Sequence, residues 1–422
     1  MDTTITHTIM PVIAKDLGNF NLFAWTFASY VICSTILAPI AGRLSDLYGR
    51  KKVFGSGIIL FLLGSVLCGS SSTMVELVIF RAIQGIGAGA MIPFPAIIAG
   101  DIFSIEKRGK IQAFFSAMWG ISAIIAPLIG AVFVEYLSWR WIFYVNIPIC
   151  ILSFLLLIPY KEEYTPKKAA VDYIGAILFT AGVSLLLLTT VVTSHYVYYI
   201  LSGCIILLLF FLYEKRHPSP LFPVSLLRNR PIAWMIANSF LACAALFGTS
   251  GFIPLFLQEE GYPIFLSGAA LLGMSLGWTA VSVPAGRWIL RYGYGKLLIL
   301  GNLLLVLTGG LLLFIQGGTS IWYVTFVMLI QGLSFGLIVT VSIIGAQQLV
   351  EADQKGISTS LQMFSRNTGT AIGITLMGFI LTNSASFLEG FHHIFIYGFI
   401  VSLLACVTSF FIFQKEKVVS NH

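Results

Sequence analysis

Two charged side chains stand within stretches that are otherwise apolar, and their chemistry can be stated at once. Asp2 begins a short helix-like segment that reaches Pro11, and Arg81 lies well inside a long apolar run. A carboxyl group in an apolar cavity tends to be neutral, and a nearby cation favours its ionised form. A proton and a cationic ligand would therefore compete for Asp2, which is the minimal chemistry of an exchanger.

Each of these candidates has a simpler explanation beside the functional one. Asp2 could be an interfacial N-terminal acid, and Arg81 could extend its side chain from the outer end of its span to water. An Arg at the bilayer centre costs at least about 2.5 kcal/mol, so we expect Arg81 to face a cavity and a partner. His7 could relay protons or simply be hydrogen-bonded. Glu135 could be a second protonation site or a boundary residue.

Composition places these residues in a membrane protein. The chain has 422 residues, of which 58% are hydrophobic and 10% charged, against roughly 25% charged in a soluble domain. The apolar residues form blocks of about 20, which is the length of a transmembrane helix. Runs such as 200–212 are apolar on every face, which excludes alternating barrel strands. The six cysteines all fall inside apolar spans, so we expect them to be unpaired.

The blocks predict an all-α polytopic protein with fourteen spans grouped six, two and six. A partial span at 1–14 is followed by spans near 22–43, 53–71, 75–100, 110–136, 140–159, 173–192, 196–213, 232–257, 265–286, 296–315, 320–348, 357–382 and 392–413. We therefore expect two six-helix bundles, 1–159 and 232–422, separated by two inserted helices in 160–231. The first span covers only about 21 Å, so we expect either that its first half is missing or that it is a short interfacial helix.

Lys and Arg indicate the orientation. Loops on one side of the predicted membrane hold 20 of the 24 Lys and Arg residues, and the other side holds only Lys15 and Arg140. The basic excess stays cytoplasmic, so both termini are expected in the cytoplasm once the first helix is complete. The net charge of +7 is spread over these loops and not along one stripe, which argues against nucleic-acid binding.

An internal repeat indicates a duplicated transporter. The segment 42–49 is echoed by 286–293 at an offset of 244 residues, and Gln84-Gly85 is echoed by Gln331-Gly332 at an offset of 247. Two six-helix halves at a nearly constant offset are typical of transporters built by duplication.

The segment that begins at Gly42 and ends at Lys52 indicates a conformational latch. Gly49 permits a sharp reversal between helices, and Asp46 at a helix end can pair with a basic residue or with a neighbouring helix N-terminus. A contact of this kind can be made in one conformation and broken in the other. The alternative is a basic loop that only sets topology. The second copy has Leu290 in place of Asp46, so one latch is expected.

These motifs resemble the major facilitator superfamily, and within it the fourteen-helix drug/proton antiporters of the QacA and EmrB type. The stretch 42–52, with Gly42, Asp46, Gly49 and Arg50, matches the superfamily's loop signature, and the first eleven residues are similar to the subfamily's first-helix motif, with His7 where Asn is usual. The resemblance implies that Arg81, followed by Gln84 and several glycines, couples protons or conformations.

Three further motifs carry the resemblance. Gly120, Pro127 and Gly130 resemble the antiporter motif, although Ala126 and Ala131 replace two of its glycines. The stretch 138–148, which includes Asn146, is similar to the start of the subfamily's sixth helix. Arg366 and Asn367 resemble a late motif of the thirteenth helix. We expect both, with Asn146, to form a polar network, and substrate contact is the second interpretation of Arg366.

The expected function is proton-coupled export of lipophilic cationic or zwitterionic drugs by alternating access, with the bacterial cell membrane as location. Its partners would be drug-like molecules, protons and the lipid bilayer, and the family default is a monomer. An exporter dedicated to one metabolite remains the alternative. A membrane enzyme is disfavoured, because the longest polar stretch, 214–231, holds no plausible catalytic set. No phosphate-binding loop, metal or cofactor is indicated.

Overall fold

The computed structural model describes residues 6, 12–18, 22–162, 172–189, 196–217, 220, 224–382 and 384–412. The described part is helical, as the apolar blocks predict. Its helices up to the second polar stretch are α1 (Phe23–Tyr48), α2 (Arg50–Ser70), α3 (Met74–Met91), α4 (Phe94–Ile102), α5 (Ile105–Tyr136), α6 (Trp141–Tyr144), α7 (Asn146–Leu157), α8 (Tyr173–Leu188) and α9 (Tyr196–Glu214).

The remaining elements begin after that polar stretch. They are α10 (Val224–Arg228), α11 (Arg230–Ala242), a π-helix (Cys243–Phe247), α12 (Thr249–Glu259), α13 (Ile264–Ala269), α14 (Leu272–Leu312), α15 (Ile321–Gln348), a short 3-10 helix (Ala352–Gln354), α16 (Lys355–Thr382) and α17 (Phe387–Phe411). Each predicted span after the first contains a helix, and the total of fourteen spans stays a prediction.

Eight of the described helical segments are long and apolar enough to cross a membrane, and two shorter apolar ones span Trp141–Leu157 and Tyr173–Leu188. The spans predicted at 265–286 and 296–315 both overlap α14 over most of their length, and α14 bends between them at Gly293, where φ is 78°. Gly49, the corresponding glycine of the first copy, has a φ of 101° between α1 and α2. Such φ values favour glycine, so both glycines permit the reversals that the repeat predicts.

The chain divides into two compact units that do not follow its order. The first unit comprises Met1–Asp101, Ile121–Val224 and Val350–Phe364, and the second comprises Ile102–Gly120, Ser225–Leu349 and Ser365–His422. In the first unit, a buried apolar cluster joins Met74 and Leu77 to Phe143. In the second, Leu298 and Val341 lie in the cluster where α14 packs against α15. All six cysteines are free, as predicted; four are buried, Cys33 is half-buried and Cys204 is exposed.

A polar contact in the first unit joins the helical segment 12–17 to the turn before α6. The Trp139 indole Nε1 donates to the Asp16 carboxylate at 2.9 Å, and the Arg140 Nη1 donates to the same oxygen at 3.3 Å. The Arg140 guanidinium also lies 4.3 Å from the centre of the Trp139 ring. The indole hydrogen bond, acting against burial and helped by Arg140, lowers the pKa of Asp16 below its ordinary value. Trp139 and Arg140 thus hold the 12–18 segment.

Candidate functional site

Arg81 lies on α3 and is completely buried within the first unit. Its Nη1 donates to Oε1 of Gln84 at 2.7 Å, and its Nε donates to the carbonyl oxygen of Thr26 at 3.4 Å. Its guanidinium carbon lies 4.3 Å from the centre of the Tyr30 ring. The cation is therefore surrounded by polar and aromatic groups inside the unit and does not extend to the unit's surface.

The hydrogen bonds of Arg81 continue through Gln84 to two other helices. Gln84 Nε2 donates to Ser65 Oγ at 2.8 Å, and Asn146 Nδ2 donates to the same hydroxyl at 3.2 Å. α2 and α3 approach closely here because Gly64 has no side chain: a Cβ on it would lie 2.5 Å from the Gln84 backbone nitrogen. Asn146 thus lies at the end of a hydrogen-bonded chain that begins at Arg81. Sequence reasoning missed Ser65, although a polar residue within an apolar span is a signal that could have marked it.

Asp46 is the second feature of the first unit, and it is 1% exposed near the end of α1. One of its carboxylate oxygens accepts a hydrogen bond from the Gly356 amide at 2.9 Å, and the other accepts one from the Ile357 amide at 2.8 Å. These amides belong to the first turn of α16, where backbone N–H groups lack partners within the helix. The carboxylate therefore caps α16 and meets the positive end of its dipole.

Three more charged side chains continue from Asp46 as a chain of ion pairs, in which positive and negative residues alternate. Arg50, which is fully buried, has a guanidinium nitrogen 3.6 Å from Asp46 and forms a second ion pair with Asp101. Lys355 lies 3.8 Å from Asp101. Asp101 and Lys355 were missed by sequence reasoning, since nothing local distinguishes them from ordinary residues at helix ends. The cluster links α1, α2, α4 and α16.

Close backbone contact accompanies these charges. A Cβ on Gly42 would lie 2.7 Å from the Gly356 carbonyl oxygen and closer still to the Ser360 side chain. α1 and the start of α16 can touch only because both positions are glycine. The predicted latch residues Gly42, Asp46 and Arg50 are therefore brought together.

The second copy of the loop motif, in the second unit, has the helix contact without the buried carboxylate. A Cβ on Gly286 would lie 2.7 Å from the Glu106 carbonyl oxygen at the start of α5. Leu290, in the position of Asp46, is 59% exposed. Arg287 and Glu106 form an ion pair at 3.4 Å, but both side chains are largely exposed. An exposed pair of this kind contributes little.

Arg366 and Asn367 lie on α16 in the second unit, and both are half-buried. The Thr370 hydroxyl donates to the Arg366 carbonyl oxygen at 3.0 Å, and the Cys243 thiol of the π-helix lies within electrostatic range of the Arg366 guanidinium. Gly369 permits close packing there, since a Cβ on it would lie 3.0 Å from the Phe240 carbonyl carbon.

The structure describes fewer contacts for the other predicted site residues. Glu135 is exposed near the end of α5. α5 also carries Gly120, Pro127 and Gly130, whose surroundings are not among those described. Asp2 and His7 lie outside the described residues. Within the described ranges, His, Cys, Asp and Glu side chains form no group of three suited to a metal ion.

Comparison with known proteins identifies the family. The model of the Major Facilitator Superfamily matches residues 1–364 and, in a second match, 271–422. Multidrug resistance protein 3 of Bacillus subtilis (strain 168) is 33% identical over 393 residues, which cover 91% of this chain and 77% of that protein.

Two further comparisons agree. The multidrug efflux pump SdrM of Staphylococcus aureus (strain N315) is 29% identical over 425 residues, covering 99% of this chain and 94% of that protein. The crystal structure of the human organic anion transporter MFSD10 is similar in fold, with a TM-score of 0.68 at 17% identity over 95% of this chain and 88% of that one. This all-helical membrane protein belongs to the Major Facilitator Superfamily, a family of transporters.

Proposed function

We propose that this chain exports lipophilic cationic or zwitterionic drugs in exchange for protons, as a fourteen-helix antiporter. Two relatives that align with at least nine-tenths of it are named for multidrug resistance or multidrug efflux. The observation that carries the proposal is the buried Arg81 with its hydrogen-bonded chain to Asn146. A fixed cation inside a membrane-spanning unit is costly, and in transporters such residues mark ion and substrate pathways.

The internal repeat supports Asp2 as the acid that works with Arg81. Gln331, the counterpart of Gln84, donates to the Leu246 carbonyl oxygen at 2.6 Å and to the Thr249 hydroxyl at 3.2 Å. Gly18 and Gly261, at helix ends in the two halves, both have positive φ and are 243 residues apart. At offsets of 243 to 247, Asp2 corresponds in the sequence repeat to residues 245–249, which include the Leu246 and Thr249 partners of Gln331. This correspondence in the repeat supports Asp2 as a candidate partner of Arg81 in proton coupling.

Competition at Asp2 would provide the coupling. When Asp2 is protonated, Arg81 keeps its hydrogen bond to Gln84. When Asp2 is ionised, it attracts the cationic drug or Arg81. Proton and drug then bind in alternation, and each lowers the affinity for the other. If two protons exchange for one monovalent cation, one net charge moves inward, worth about 2.3 kcal/mol per 100 mV. That energy sustains roughly a fiftyfold concentration gradient.

The Asp46 cluster would couple binding to conformational change. Its hydrogen bonds to the Gly356 and Ile357 amides connect α1 to the start of a helix that is distant in sequence. We infer that this latch, with Gly49 at the helix reversal, forms in one conformation and breaks in the other. The bound proton or drug would then shift the equilibrium between the two conformations, because each binds one conformation more tightly than the other.

The remaining features of the proposal concern topology and location. Two six-helix bundles, 1–159 and 232–422, would flank the inserted helices in 160–231, with both termini in the cytoplasm. The relatives from Bacillus subtilis and Staphylococcus aureus support a bacterial plasma membrane. We expect a monomer.

Efflux from energised cells tests the proposal. Full-length protein is expected to expel ethidium or norfloxacin, and a protonophore should stop it. Asp2→Asn should abolish efflux without lowering the amount of membrane protein, because a neutral amide cannot exchange a proton. Glu351→Gln, which removes an exposed acid, serves as the matched control and should retain activity.

Two other outcomes would count against the proposal. If the intact protein moves neither compound, a dedicated exporter of one metabolite becomes the better explanation. If Asp2→Asn still pumps, proton coupling belongs to Arg81, His7 or Glu135 and not to Asp2.

A further inference from the structure

Arg108 is a buried cation in the second unit, in the first turn of α5, and it is 7% exposed. Its Nε donates to the Phe103 carbonyl oxygen at 2.8 Å, and its Nη1 donates to Oε1 of Gln347 at 3.5 Å. Gln347 is the next-to-last residue of α15 and is 1% exposed. Backbone carbonyl groups at a helix C-terminus lack partners within the helix and favour a nearby cation. Arg108 therefore joins the start of α5 to the C-terminus of α15.

The internal repeat relates this contact to the ion pair between Lys355 and Asp101 in the first unit, where Nζ lies 3.8 Å from Oδ1. Lys355 follows Arg108 by 247 residues, and Gln347 follows Asp101 by 246, which agrees with the offsets of 244 and 247 in the repeated motifs. Asp101 is the next-to-last residue of α4, as Gln347 is of α15. In both units, a basic residue at the start of one helix therefore meets a polar residue at the end of another.

A pair of glycines beside each contact is repeated as well. In the first unit, a Cβ on Gly356 would lie 2.6 Å from the Gly42 carbonyl oxygen. In the second, a Cβ on Gly109 would lie 2.7 Å from the Gly286 backbone nitrogen. Gly356 follows Gly109 by 247 residues, and Gly286 follows Gly42 by 244. Helix backbones approach this closely only where side chains are absent, so the close helix contact of the first latch has a counterpart in the second unit.

The polar contacts of the two units differ in charge. In the first unit, Asp101 forms ion pairs with Arg50 and Lys355. In the second, Gln347 offers Arg108 an uncharged amide oxygen. A guanidinium stays protonated across the physiological pH range, so neither partner of this hydrogen bond titrates near neutral pH. The contact between Arg108 and Gln347 can therefore form and break without any change in the protonation of its two partners.

We propose that Arg108 and Gln347 form a second latch, which closes and opens together with the Asp46 cluster. This inference rests on the alternating-access function proposed above. The sequence predicts one latch because Leu290 replaces Asp46, but the charge of the second latch lies at the start of α5 and not in the loop motif. Arg108 is a positioning residue, since it acts on transport through the contact between α5 and α15 and not through the substrate.

Hydrogen exchange of the purified full-length protein in lipid nanodiscs tests this inference. Arg108→Gln removes a hydrogen bond from a charged donor, so the Gly109 amide should exchange at least about tenfold faster. The Gly356 and Ile357 amides of the first latch should also exchange faster, because both latches are expected to open in the same conformational change.

Gln347→Glu provides the opposite perturbation. It leaves the hydrogen bond from Arg108 to Phe103 in place and gives Arg108 a charged partner, so exchange at the same three amides should become roughly fivefold slower. Arg287→Gln is the matched control, because it removes an exposed ion pair with Glu106 at the start of the same helix. It should leave all three exchange rates unchanged.

Exchange at the Gly356 and Ile357 amides separates a latch from a local contact. If Arg108→Gln and Gln347→Glu alter exchange only at the start of α5, or not at all, the second latch is wrong and Arg108 only holds the 103–108 turn. Exchange needs no substrate, so this inference fails separately from the export function. Coupled changes at all three amides without proton-driven efflux would keep the second latch and reject the antiport function, and efflux with changes confined to α5 would do the reverse.

Discussion

Replacing Asp46 by Asn tests whether the latch has a real energetic effect. The carboxylate accepts hydrogen bonds at 2.9 Å and 2.8 Å from the Gly356 and Ile357 amides and lies 3.6 Å from Arg50. Asn has nearly the same size but carries no charge, and its NH₂ group cannot accept from an amide. One of the two hydrogen bonds is therefore lost, and the acceptor of the other is an uncharged amide oxygen.

The size of the effect follows from these contacts. A hydrogen bond to a charged group contributes about 1.5 to 3 kcal/mol, and a neutral one about 0.5 to 1.5 kcal/mol. Losing one charged bond and weakening the other should cost the latched conformation roughly 2.5 to 4.5 kcal/mol, or a factor of about 60 to 1,600 in its population relative to the unlatched one. Arg50 retains Asp101, so its charge is not left unpaired.

Hydrogen exchange at the start of α16 measures this change directly. We expect the Gly356 and Ile357 amides to exchange at least about sixtyfold faster in Asp46→Asn than in the unaltered protein, and efflux turnover to fall. Leu290→Asn is the matched control, because Leu290 occupies the same position in the second copy and is exposed. Unchanged exchange at these two amides in Asp46→Asn would refute the latch, whatever happened to transport.

Two further predictions concern Arg81 and Asp16. Arg81→Lys keeps the charge but cannot donate to Gln84 and Thr26 in the same geometry, so proton-driven uptake into everted vesicles should fall at least tenfold at equal protein level, and full activity would contradict its role. The lowered pKa of Asp16 means that its carboxylate stabilises the fold above the ordinary value of 3.8 and that this contribution disappears as pH falls through the lower, folded-state pKa. Asp16→Asn should remove that part of the acid dependence of thermal unfolding, and identical curves for both proteins would rule the contribution out.

Local sequence pattern predicted a large part of the architecture. Helices occupy each predicted span after the first, and the superfamily is confirmed by the family match. Periodicity succeeds here because a membrane span must be apolar and must satisfy its own backbone hydrogen bonds. The reversals at Gly49 and Gly293 were also readable, since positive φ values of 101° and 78° favour glycine.

The partners of the candidate residues were less predictable. For Asp46 the sequence left two possibilities open, a basic residue or a helix N-terminus, and the structure has both. The link from Arg81 to Asn146 runs through Ser65, which no motif marked. A single polar residue in an apolar span gives no indication of which neighbouring helix it will face.

The sequence by itself determined that the chain is a polytopic helical protein with a duplicated half and few, isolated charges in its spans, because hydrophobicity, length and repetition are local properties. Only the tertiary structure decided which charges meet. Asp46 is hydrogen-bonded to amides more than 300 positions later in the chain, and Arg366 is next to the π-helix. Such contacts depend on how helices pack, and packing is set by the shapes of many side chains together and not by any one segment.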